Sequence, residues 1–465
     1  MLKKLLLLSL FILFTSILTS EDLNSKNLNS TDLDITPVPE ENLSIVVYDI
    51  DAKKEVVSIN PDKPLSFASN VKLLTTASVL QNLGGGFRFM TMFSFDPEDG
   101  ILYIKAAGDP EMVMENMWLL ATDLKRRGIS NVQKVVVDDF IYGNQGRYIS
   151  DSGEKGDNAY LAYISPLGLN YNSVEMYVKP TVTGGPVDIT ISTPGPHFIV
   201  ENTATTVKGG YNRLLITAIP KDGKTLITVK GTLGELIKKP FAVYKKIYDP
   251  TNHYVETLLF MMNEKDGIPI SRQKLKESIF TRATAVNHIL KSSPMRDILR
   301  TMNRYSSNFI ADSLVFFMGA ILKGDVHKGI DLLKEYAKQE LGETVDVING
   351  SGLGNDKNLL TGRFFVKLLK KIYSDPYLSL DYFSTLPVMG EDGTLKRASS
   401  GNDCTGFIRG KTGSLTGVTS LSGLMKAKSG KLYLYAFTVN SFQGKKFKDS
   451  WGFRDKIMQQ LWEKY

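Results

Sequence analysis

The sequence predicts an α/β fold: a mostly antiparallel sheet with helices packed on its faces, plus a large β-rich insertion. Three observations predict it. Strand hairpins stand near both ends of the chain. Stretches of helical period fill the region leading up to the second group of strands. Between the first helix and those stretches runs a series of short strand-like segments, punctuated by Gly and Pro clusters.

In chain order, Lys3 and Lys4 precede an apolar run from Leu5 to Leu18, and polar residues take over at Thr19. This is the layout of a signal peptide over residues 1–20. The run is shorter than the roughly 20 apolar residues of a membrane span. Leu18 is poorly suited to cleavage after Ser20, which keeps an uncleaved anchor open. Residues 21–41 are rich in Ser, Asn, Asp, Thr and Pro and read as a flexible leader. Leu43–Asp49 and Glu55–Asn60 read as a hairpin turning at Asp51–Lys54. Val71–Leu80 is apolar, lacks Gly and Pro, and reads as a buried helix. Residues 87–264 form the predicted insertion, with one amphipathic helix near Glu111–Arg127. A catalytic domain of residues 42–86 and 265–465 encloses it. Its later part carries helices such as Asn308–Leu322 and Thr361–Ser374. Strands at Val418–Lys426 and Lys431–Val439 follow, then a terminal helix from Trp451.

Composition excludes several function classes. The chain has 465 residues, 42% hydrophobic and 23% charged, which suits two or three globular domains. The net charge of +7 is mild, and no long basic run stands out. Nucleic acid is therefore not indicated, and weak attraction to an anionic envelope is all the charge supports. Cys404 is the single cysteine, so no internal disulfide forms. It reads as a partly buried small side chain. His197, His253, His288 and His327 show no zinc-ligand spacing and follow no Gly-x-Ser-x-Gly elbow. No metal and no organic cofactor is expected.

The chemistry-bearing candidates are three short motifs. Ser69 and Lys72 form Ser-x-x-Lys at the start of the predicted buried helix. Residues at i and i+3 share a helix face, so the Lys72 amine sits over the Ser69 hydroxyl. A serine hydroxyl needs an adjacent base to become a nucleophile, and a desolvated lysine has a lowered pKa suited to that task. The Ser69 N–H, at the helix N-terminus, is available to an oxyanion. Ser306-Ser307-Asn308 taken alone reads as a cap for the helix that follows. Lys411-Thr412-Gly413 taken alone reads as a strand end.

In this order the three motifs resemble those of the class C low-molecular-mass penicillin-binding proteins, the D-alanyl-D-alanine carboxypeptidase/endopeptidase family. Ala107-Gly108-Asp109-Pro110, Val137-Asp138-Asp139, Asn349-Gly350-Ser351-Gly352-Leu353 and Leu386–Leu395 resemble further stretches of that family. The resemblance implies the penicillin-binding transpeptidase-like fold and acyl transfer through a serine ester on peptidoglycan stem peptides. β-Lactams are the implied inhibitors. It implies Ser69 as nucleophile, Lys72 as base, Ser306 as proton relay and Asn308 as partner of Lys72 and the substrate amide. Lys411 and Thr412 then face the substrate carboxylate. Gly413 lets the strand approach the substrate, and the Ser414 N–H completes the oxyanion hole. Asp157 matches an insertion position that faces the peptide's third residue. Two departures stand out. Ser307 replaces the usual Asp, and Gly354-Asn355-Asp356-Lys357 lacks the Ser-Arg that commonly follows Gly-Ser-Gly-Leu. A serine β-lactamase and a catalytically silent peptidoglycan-binding module are the alternatives. The long insertion weighs against the first, and the intact motifs against the second.

Overall fold

The computed structural model describes residues 33–36, 38–150, 155–354, 357–398, 403–441 and 447–465. The expected signal peptide, most of the expected leader, and Asn355 and Asp356 lie outside the described residues.

Five strands form the central sheet: β1 (Leu43–Asp49), β2 (Lys54–Ile59), β3 (Ile408–Leu415), β4 (Val418–Lys426) and β5 (Leu432–Val439). All pairs are antiparallel, in the order β3-β4-β5-β1-β2. Leu43 faces Val439, so the two ends of the chain close one sheet. β1 is buried along its whole length, because both faces of the sheet are covered and successive side chains alternate between them. Val46 and Tyr48 enter one core, and Leu43, Ile45 and Val47 enter the other.

The first core lies under α1 (Val71–Leu83), α2 (Met295–Tyr305), α3 (Asn308–Lys323), α4 (Gly329–Leu341) and α5 (Gly362–Tyr373). Every residue of α1 from Val71 to Leu80 is buried, as befits a helix surrounded by others rather than lying on a surface. The second core is closed by α6 (Phe447–Lys464) through Phe453, Ile457 and Leu461. Leu33 and Val38 join it at 3% and 7% exposure. Within the stretch expected to be a flexible leader, Leu33 and Val38 are therefore packed while Asp34, Thr36 and Pro39 to Glu41 stay exposed, since only its apolar side chains have a core to enter. Cys404 is fully buried in the same core.

The insertion carries its own five-stranded sheet, covered by the helices Met114–Arg126 and Pro250–Met262. Two smaller sheets share a further core built on Val174, Met176, Ile227 and Val229. The strand Val286–Lys291 pairs with Met90–Asp96, Val286 opposite Phe95 and Lys291 opposite Met90. The insertion's sheet thus closes at Lys291, beyond the expected boundary at Glu264. Pairing across such a separation leaves no local mark in a short strand's sequence. Among the described residues, no helix is long and apolar enough to cross a membrane.

Candidate active site

Ser69 sits in a short turn, Ala68–Asn70, that feeds directly into α1. Ala68 has φ +47°, a left-handed conformation that costs a non-glycine residue about 1–3 kcal/mol. The surroundings hold it there. The Ser420 hydroxyl donates to the Phe67 carbonyl at 2.7 Å and accepts from Asn70 Nδ2 at 2.7 Å. Upstream, Ser66 is pinned by Asn440 Oδ1 on its N–H, and by the Thr438 hydroxyl and Asn440 Nδ2 on its carbonyl. The Phe67 ring packs on Phe365, with centroids 4.6 Å apart.

One turn into the helix, Lys72 is fully buried. Its Nζ lies 2.9 Å from Ser69 Oγ, 2.8 Å from Asn308 Oδ1 and 2.7 Å from the Ser351 carbonyl. A neutral amine has two N–H bonds and one lone pair. Asn308 and Ser351 can only accept, so they take the two N–H bonds. The lone pair is left pointing at the Ser69 hydroxyl, whose proton it accepts. Desolvation drives Lys72 down to about 7, against the upward pull of Asp312.

The three residues of Ser306-Ser307-Asn308 do three different things. Ser306 ends α2 in a left-handed conformation, φ +56°. Its hydroxyl accepts from Lys411 Nζ at 2.8 Å. Ser307 caps α3, its hydroxyl accepting from the Ile310 N–H at 3.2 Å. Asn308 opens α3 and turns to Lys72. The cap accounts for the departure from Asp at position 307: Ser and Asp are comparably good N-caps, so the position is filled by either. Ser307→Ala is expected to cost about 1 kcal/mol of stability, read as a lower Tm, while Ser307→Asp keeps the wild-type Tm. A Ser307→Asp protein as unstable as Ser307→Ala would refute the capping role.

β3 is an edge strand, and Thr412 and Ser414 line a cleft of about 490 Å³ together with Ser69 and Ser306. Thr394, Lys396, Arg397 and Arg454 line it too. Lys411, expected to face the substrate carboxylate, lies directly behind the cleft residue Ser306. It is fully buried, held by Ser306 and the Thr412 carbonyl, and desolvation with the neighbouring Lys72 pushes it well below the usual lysine range. Gly413 is tightly enclosed within the protein itself. A Cβ there would stand 2.2 Å from Ser420 Oγ and 2.3 Å from the Phe67 carbonyl. Its bareness lets β3 close on the Ser69 turn.

A profile of the D-Ala-D-Ala carboxypeptidase 3 (S13) family matches residues 24–460. The chain belongs to this family. It is a serine peptidase of the D-alanyl-D-alanine carboxypeptidase class, as the motifs lead one to expect. This S13 chain is 26% identical over 424 residues to a D-alanyl-D-alanine carboxypeptidase of Actinomadura sp. (strain R39), covering 85% of this chain and 76% of that one. Its fold is similar to that of penicillin binding protein 4 from Haemophilus influenzae, with a TM-score of 0.72 and 20% identity over 91% of this chain and 96% of that one. It is also similar to a penicillin G-acylated predatory endopeptidase from Bdellovibrio bacteriovorus, with a TM-score of 0.52 and 17% identity over 90% of each chain. The penicillin-binding, β-lactamase-like fold expected from the sequence is the one observed.

Of the residues singled out by sequence, Ser69, Lys72, Ser306, Asn308 and Lys411 are joined by hydrogen bonds in two groups, Ser69–Lys72–Asn308 and Ser306–Lys411. Ser69 and Ser306 share the cleft with Thr412 and Ser414. Asp157 is tied up elsewhere. Its carboxylate meets Lys245 at 2.7 Å and the Ala218 N–H at 2.8 Å, both within the insertion. Sequence reasoning missed the Ser351 carbonyl, Ser420, Asp312 and the cleft cations Lys396, Arg397 and Arg454. The stretch Asn349–Leu353 was a signal for the first of these. A backbone carbonyl or a lone surface arginine carries none of its own.

Proposed function

We propose that the chain is a penicillin-sensitive serine D,D-carboxypeptidase, with D,D-endopeptidase action on cross-links, working on peptidoglycan stem peptides outside the cytoplasmic membrane. The observation that carries this reading is the Lys72 amine, held by Asn308 and the Ser351 carbonyl with its remaining position 2.9 Å from Ser69 Oγ. Ser69 Oγ attacks the carbonyl carbon of the penultimate D-alanine, and its proton passes to Lys72 Nζ. The N–H groups of Ser69 and Ser414 receive the developing oxyanion. The C–N bond then breaks, and the departing amine takes a proton. Ser306, hydrogen-bonded to Lys411, is the hydroxyl at the cleft that relays to it the proton taken up by Lys72, leaving both residues as they began. Water hydrolyses the ester, returning Ser69. The terminal carboxylate is met by the Thr412 hydroxyl and drawn in by Lys396 and Arg397, both of which are exposed at the cleft.

The test is release of D-alanine from a peptide ending in D-alanyl-D-alanine. The wild-type protein is expected to release one D-alanine per peptide, and Ser69→Ala none. Rapid turnover of benzylpenicillin without peptide cleavage would favour a β-lactamase. Absence of both activities in the folded protein would favour a silent binding module.

A further inference from the structure

Behind Lys72, away from the cleft, stands a carboxylate that no step above uses. Asp312 lies one turn along α3 from Asn308, so the two side chains share a helix face. Asp312 is 3% exposed, and its Oδ1 has no hydrogen-bond partner. The carboxylate faces the hydroxyls of Ser150 and Ser351 and the N–H of Gly350. Ser351 is the residue whose carbonyl accepts from Lys72 at 2.7 Å. Asp312 thus touches the turn that holds the base, from the same helix that supplies the base's other acceptor.

A buried carboxylate is costly to keep ionised: desolvation pushes the Asp312 carboxyl above the usual range, and the neighbouring Ser150, Ser351 and Gly350 donors and the Lys72 amine pull it back toward the ionised form. No arginine or lysine forms an ion pair with Asp312 among the described residues. The charged groups facing Lys72 are Asp312 from α3 and Lys411 from β3. The turn at Gly350–Gly352 offers Lys72 only a carbonyl. On its far side Asp312 borders a cavity of about 730 Å³, lined by Ser150, Val315, Phe316, His327, Ile330 and the cations Lys155 and Lys334. A group held at such cost, between a base and a cavity, is not explained by packing.

We propose that Asp312 is a positioning residue of the peptidase centre: its carboxylate steadies the Ser351 turn and supplies the negative charge against which Lys72 takes and gives up its proton. This rests on the reading of Lys72 as the base. The sign follows directly. A negative charge nearby favours the ammonium form, so neutralising Asp312 makes Lys72 lose its proton at lower pH. The same change makes the neutral amine a weaker base, so the rate above the transition falls.

The experiment is the rate of benzylpenicillin acylation as a function of pH, read by intact mass, for the wild type, Asp312→Asn and Asp312→Glu. In Asp312→Asn the acid limb is expected to move down by about one pH unit or more, with a lower plateau. Asp312→Glu restores the charge, and the adjoining cavity has room for its extra methylene, so its limb stays at the wild-type midpoint. An Asp312→Asn limb unchanged from wild type overturns the proposal. So does an Asp312→Glu limb displaced like that of Asp312→Asn, which would mark a purely structural role. A wild type that forms no adduct at any pH would instead defeat the peptidase reading itself.

Discussion

Lys72→Met is expected to slow acylation of Ser69 by benzylpenicillin roughly 10²–10⁴-fold, the usual contribution of a positioned general base. Methionine fills the same buried channel without an amine, so the protein stays folded while the Ser69 hydroxyl loses its proton acceptor. The buried amine also sets the pH dependence of the wild type. Desolvation brings Lys72 to about 7. Below that pH its nitrogen carries a third proton and has no lone pair for Ser69. Above it the amine is neutral and competent. The acylation rate should therefore rise through a midpoint near 7 and level off on the alkaline side, falling about tenfold for each unit below the midpoint. In Lys72→Met this acid limb disappears. A Lys72→Met protein that acylates at the wild-type rate would remove Lys72 from the chemistry.

The second large effect belongs to two glycines that press on successive carbonyls of the Ser69 turn. Gly352 has φ +76°, and a Cβ there would stand 2.1 Å from the Ala68 carbonyl oxygen. Gly413 presses on the preceding carbonyl, that of Phe67. In both cases the clashing atom is backbone and cannot swing aside as a side chain would. Gly352→Ala combines that clash with a left-handed backbone that alanine resists. Gly413→Ala meets Ser420 Oγ as well, at 2.2 Å, and Ser420 is the hydroxyl that ties down Phe67 and Asn70. Each substitution is expected to destabilise the protein by about 1–3 kcal/mol. Each should lower the acylation rate by at least about 10²-fold, because displacing a nucleophile by an ångström is enough to do so. Thermal melts and intact-mass kinetics on the same samples check both. Wild-type acylation in either variant would show that the turn has slack the structure does not suggest.

How much of this was legible in the sequence depended on the kind of interaction. Side-chain chemistry at fixed spacing was readable. Ser69 and Lys72 stand one helical turn apart, and the order of the three motifs named the family before any geometry was known. The terminal hairpins also announced themselves, because alternation and turn residues are local. Contacts made by backbone, or by chain far away, were not readable. The Ser351 carbonyl that holds Lys72 could belong to any residue type. The bareness of Gly413 signals close approach but not toward what, and the answer was the Ser69 turn. Lys411 was expected to face the substrate carboxylate, and only the packing of β3 against the Ser69 turn and the bond to Ser306 show how deeply it is buried. The insertion's limit at Lys291 was hidden because its closing strand pairs with Met90–Asp96, far earlier in the chain. Asp312 sits in an apolar helix, where one acid looks like an exposed face until the fold turns it toward Lys72.

The central claim, that Ser69 is a nucleophile activated by Lys72, is tested most directly by the intact mass of the protein after incubation with benzylpenicillin, beside Ser69→Ala. The account predicts one covalent adduct on the wild type, localised to the peptide containing Ser69, and none on Ser69→Ala. A folded wild-type protein that gains no mass and leaves the drug intact would contradict it, as would an equal adduct on Ser69→Ala.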